Sequence, residues 1–159
     1  MKKRLAFLAA FTAFAIPVLA HGAERGEAKA TVAGKAVTID YGRPTLKGRD
    51  MLAQAEVGKP WRMGADADTT LKTDAYLMFG SAAVAKGEYV LKATKVAEDK
   101  WQLNVLTKEN AKVADVPLEL AKAPESVEML TIDLKGEKEK GTFTMSWGEV
   151  SLKTAFTGK

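Results

Sequence analysis

Cysteine is missing from this chain, and histidine occurs once, at His21. The first absence excludes a disulfide framework, a thiolate metal site, a cysteine nucleophile and a lipid-modified cysteine anchor. The second excludes histidine-cluster metal centres and leaves hardly any room for a Ser-His-Asp triad. No phosphate-cradling glycine loop, dinucleotide fingerprint or GxSxG elbow occurs. Disorder is excluded as well, because 47% of the 159 residues are hydrophobic and only 28% are charged.

Only one long apolar run is present, Leu5 to Leu19, broken by Pro17. Lys2, Lys3 and Arg4 precede it, and Val18-Leu19-Ala20 offers small residues for a peptidase. That three-part pattern predicts a secretory signal peptide over residues 1–20. A spanning helix needs about 20 apolar residues, so a membrane anchor is the weaker reading. Three of the 24 Lys and Arg lie in this leader, which leaves 21 against 20 Asp and Glu, a net +1. A nearly neutral domain has little long-range pull on nucleic acid or anionic membrane, so neither is an expected partner. The expected location is the periplasm or the exterior.

Beyond the leader the hydrophobic period is two. Val37-Thr38-Ile39-Asp40-Tyr41, Tyr89 to Ala93, Trp101 to Val105, Phe143 to Trp147 and Val150 to Lys153 all alternate. Alternation puts one set of side chains on a buried sheet face and the other in water. Glu98-Asp99-Lys100 reads as a hairpin turn, and Gly148-Glu149 as a two-residue loop between two further strands. Lys92, Lys95 and Lys153 read as a solvated face. Asp50 to Glu56 is the one candidate for a short helix, and Gly26 to Lys29 reads as a frayed lead-in. The expected architecture over residues 28–159 is all-β: a single antiparallel β-sandwich of roughly eight or nine short strands.

Tyr41 to Asp74 breaks the alternation. It holds three of the four arginines outside the leader, Arg43, Arg49 and Arg62, and from Arg43 to Arg62 five basic residues face two acidic ones. A long charged connection between strands is where binding groups tend to lie. Arginine offers a planar fork of donors for an anion, Trp61 a surface for a ring, and Asp66 and Asp68 acceptors for hydroxyls. The competing reading pairs these arginines internally with Asp66, Asp68 or Asp40, and makes Trp61 a core plug.

The run Tyr41-x-Arg43-Pro44, Lys47-Gly48-Arg49, Gly58-Lys59-x-Trp61-Arg62-x-Gly64-Ala65-Asp66 and Thr69-Thr70 resembles the signature of the bacterial domain of unknown function 2911 family. Lys86 to Leu91, Trp101-x-Leu103, Glu128-x-x-Thr131-Ile132 and Gly141 to Trp147 are similar to its later strands. Asp66 stands where asparagine is common. The resemblance implies an exported β-sandwich and no established activity. The candidate ligand-binding residues are Tyr41, Arg43, Arg49, Trp61, Arg62, Asp66, Asp68 and Thr70. The favoured expectation is non-catalytic binding of a small polar or anionic ligand, or of an envelope partner, with no cofactor and no metal. A carboxylate hydrolase using Asp66 or Asp68 and a purely structural role are the alternatives.

Overall fold

The alternating segments become paired strands in a computed structural model that describes residues 22–159. The expected leader and His21 lie outside the described residues. Ten strands follow in chain order: β1 (Glu24–Val32), β2 (Lys35–Arg43), β3 (Pro60–Trp61), β4 (Thr69–Thr73), β5 (Leu77–Phe79), β6 (Ala82–Val84), β7 (Gly87–Ala97), β8 (Lys100–Leu106), β9 (Lys112–Glu137) and β10 (Lys140–Gly158). All pairings are antiparallel and run in the order β1-β2-β4-β7-β8-β9-β10-β5-β6, with β3 also on β7. Among the described residues there is no helix, and hence none long and apolar enough to cross a membrane.

One continuous sheet makes both layers because β9 is shared. Its first part, from Lys112 to Leu118, pairs with β8, and the rest, from Glu119 to Glu137, pairs with β10 with two shifts of register. The inward residues of the two layers meet in one core. Val37, Ile39, Leu71, Leu91 and Leu103 face Leu77, Phe79, Leu134, Phe143 and Phe156 across a gap of only about 10 Å3. Such close packing is what makes core volume changes costly.

Four local expectations are corrected. Gly148-Glu149 is not a hairpin loop but lies within continuous β10, opposite a bulged stretch of β9. Ser146 pairs with Thr131 and Val150 with Lys122, so four steps on β10 answer nine on β9. The buried positions of β10 change phase there, from Phe143, Met145 and Trp147 to Leu152 and Phe156. A bulge and a turn leave the same trace in a sequence, a break in a period-two pattern. Asp50 to Glu56 forms a single turn, not a helix, with the Asp50 carboxylate accepting from the Ala53 N–H at 3.0 Å. Gly26 to Lys29 is not frayed but lies within β1, paired along its length with β2. Lys95 is not on the solvated face. It stands on the inward face of β7 with its side chain 8% exposed, and its amine reaches out to Glu98 at 3.2 Å.

Candidate functional site

The segment from Pro44 to Asp68 links β2 to β4, which are neighbours in the same layer. It leaves β2 along the free edge of β9: Leu46 donates to the Glu128 carbonyl and Leu130 to that of Pro44, both at 3.0 Å. Leu52 and Met63 then sink into the core and anchor it from inside. Between them β3 extends the layer, Pro60 opposite Thr94 and Trp61 opposite Ala93. Trp61 lies on the inward side and stacks on Trp147, ring centroids 5.8 Å apart and planes at 6°. The stretch from Arg62 to Asp68 folds back onto β2, where a Cβ at Gly42 would run into the backbone of Ala65. Met63 (φ 58°) and Asp66 (φ 65°) take the left-handed conformation in that turn. Aspartate and asparagine tolerate it better than most residues.

An open cleft of about 700 Å3 results, between the Met51–Glu56 turn on one side and the Arg62–Asp68 turn on the other. Trp61, Arg62, Asp66 and Asp68 line it, as the sequence suggests. So do Gln54, Glu56, Lys59 and Lys92, none of them among the candidate ligand-binding residues. Lys92 sits on regular, alternating β7 and looks like any outward lysine until the loop folds over it. The charged groups balance: Lys59, Arg62 and Lys92 against Glu56, Asp66 and Asp68. Lys59 pairs with Glu56, and Arg62 donates to the Asp66 carbonyl. The Asp66 carboxylate accepts from the Ala23 N–H at 2.7 Å, and Lys92 donates to the Asn110 side chain at 2.9 Å.

The other four candidates lie elsewhere. Tyr41 is 3% exposed and donates its hydroxyl to the Ile132 carbonyl at 3.2 Å. Arg43 donates Nε to the Leu130 carbonyl and Nη2 to the Thr131 hydroxyl, both at 3.2 Å, and Nη1 lies 3.4 Å from Glu24. Both side chains therefore serve the unpaired edge of β9. Arg49 is exposed, and Thr70 is exposed on β4; neither lines this cleft. Asp40 pairs not with one of the loop arginines but with Arg25 of β1. The same guanidinium lies 3.5 and 3.4 Å from the carbonyls of Ala67 and Asp68, so Arg25 also steadies the far wall. Among the described residues no group of three or more acidic or histidine side chains could hold a metal ion.

A ten-stranded, all-β sandwich with a polar cleft beside a tryptophan pair is the class these features define. The chain belongs to the family described as Protein of unknown function (DUF2911), which matches residues 23–156. No curated protein and no solved structure matches it.

Proposed function

We propose that this protein is an exported, non-catalytic module that holds a small hydroxyl-rich ligand, of the saccharide class, in the cleft beside Trp61. The observation that carries the reading is the balance of charge: three cations and three carboxylates around one indole. A site for a simple anion concentrates donors of one sign. Interspersed donors and acceptors beside an aromatic surface suit hydroxyls, each of which both donates and accepts. Arg62 and Lys92 supply donors, Asp68 supplies an acceptor, and Trp61 an apolar wall held in place by Trp147. Catalysis by an acid pair is the weaker reading, since the Asp66 carboxylate is already engaged by the Ala23 amide. The export half rests on the leader pattern in residues 1–20. It is tested by N-terminal sequencing of protein recovered from the periplasm or medium, which is expected to start after Ala20.

The binding half is tested by thermal shift against a panel of saccharides, carboxylates and phosphates, because a ligand of the native state raises the melting temperature. Saccharides are expected to raise it, and Asp68→Asn to weaken that effect by about fivefold in affinity, one hydrogen bond's worth. Shifts with carboxylates or phosphates alone would replace this reading with an anion site.

A further inference from the structure

A second groove, of about 420 Å3, adjoins the cleft, and Pro60 and Lys92 line both. Its floor is the outward face of β3, β7, β8 and the first part of β9. The residues stand there in two cross-strand rows: Pro60, Thr94, Gln102 and Pro117 in one, Lys92, Asn104 and Asp115 in the next. Four strands at a spacing of about 4.8 Å make this floor roughly 14 Å wide, more than one sugar ring covers.

The floor is not an ordinary solvated face. Thr94 and Asn104 are 6% and 8% exposed although they point outward. Thr94 donates to the Asn104 carbonyl oxygen at 2.7 Å, and the Asn104 amide donates to Asp115 at 2.9 Å. That chain fixes the amide and uses one of its two protons. The Thr94 hydroxyl and the Gln102 and Asn104 amides, held in adjacent rows of a rigid sheet beside Lys92 and Asp115, make a preorganised polar surface for hydroxyl partners. The common peptide modes use a strand edge, an apolar groove or an arginine cluster, whereas this floor is a sheet face with one hydroxyl, three amides, three charged side chains and apolar Pro60 and Leu106.

We propose that cleft and groove form one site for a linear oligosaccharide. The chain runs from Trp61 and Arg62 over Lys92 onto the Thr94–Asn104 floor. This rests on the saccharide reading of the cleft and adds the length and course of the ligand.

The test is calorimetric titration of the protein with neutral oligosaccharides of the sugar that gives the largest thermal shift, from monomer to hexamer. Affinity is expected to rise roughly tenfold with length, about 1.4 kcal/mol. Gln102→Ala, a half-exposed change in the groove alone, is expected to weaken the hexamer by about fivefold and leave the monomer unchanged. A hexamer that binds no tighter than the monomer, or is indifferent to Gln102→Ala, overturns the groove while the cleft stands. No binding at any length overturns both. Displacement of the hexamer by a short hydrophilic peptide overturns the choice of ligand.

Discussion

Tyr41 and Arg43, two positions apart on β2, reach the free edge of β9 with their side chains. Their donors meet the carbonyls of Ile132 and Leu130, where a neighbouring strand would otherwise supply backbone N–H groups. Removing one donor leaves a sheltered carbonyl unpaired. Tyr41→Phe is therefore expected to cost about 1–2 kcal/mol and Arg43→Met about 1–3 kcal/mol in denaturant unfolding, with saccharide affinity unchanged once folded. An Arg43 variant of full stability and lost binding would return this residue to the ligand site. Lys95 makes the opposite case. Its stem lies along the core while its amine pairs with a Glu98 side chain that is 84% exposed. A pair with one partner in open water adds little, so Lys95→Met, which keeps the stem's packing, is expected to change stability by less than about 1 kcal/mol. A larger loss by the same measurement would show that the ammonium itself matters.

Among the elements, β10 and the β2–β4 connection show how far a pattern can be read. The alternation of β2, β7, β8 and β10 was legible because each has one face in the core and one in water. The irregular pairing opposite Gly148 reads as a turn in the sequence because a glycine at φ 68° suits either. Nothing meets a Cβ there closely except a Leu46 methyl at 3.5 Å. Gly148→Ala should then cost about 1 kcal/mol through backbone strain alone, read as a lower unfolding midpoint. Gly42 acts through space instead, since the Ala65 backbone lies against it. Gly42→Ala is expected to displace the Arg62–Asp68 turn and weaken saccharide binding more than it lowers the melting temperature. Equal effects on both would mean that the turn does not shape the site. Half of the cleft was legible in the sequence, because Trp61, Arg62, Asp66 and Asp68 share one irregular segment. Lys92, Gln54 and Arg25 were not, because each looks ordinary in its own stretch and becomes part of the site only through tertiary folding. Tyr41 and Arg43 carried the motif for a structural reason that period and charge alone do not reveal.

Across the whole fold of the described residues, the continuous sheet means that both layers and the cleft depend on the same ladder through β9. One acidic group on that strand gives the fold a pH signature. Hydrogen bonds from Lys112, and then from Asn104, hold the Asp115 carboxyl below its usual range near 3.8. A depressed carboxylate stabilises the fold above its unfolded pKa, and that contribution is lost as pH falls through the folded value. Unfolding midpoints should thus decline from about pH 5 downward, and Asp115→Asn should flatten part of that decline. An unchanged slope would mean the pairing is equally strong in the unfolded chain. The pair of Glu88 and Lys108 is exposed, its carboxyl lowered and its amine raised by each other, and salt should screen it. The central claim, that the cleft between the Met51–Glu56 and Arg62–Asp68 turns is the binding site, is tested most directly by titrating 15N-labelled protein with the best saccharide and mapping the amide shifts. The account predicts the largest changes at residues 54–68 and at Lys92, with the edge around Tyr41 and Arg43 still. Shifts centred on another face, such as that of Met78 and Phe156, would contradict it.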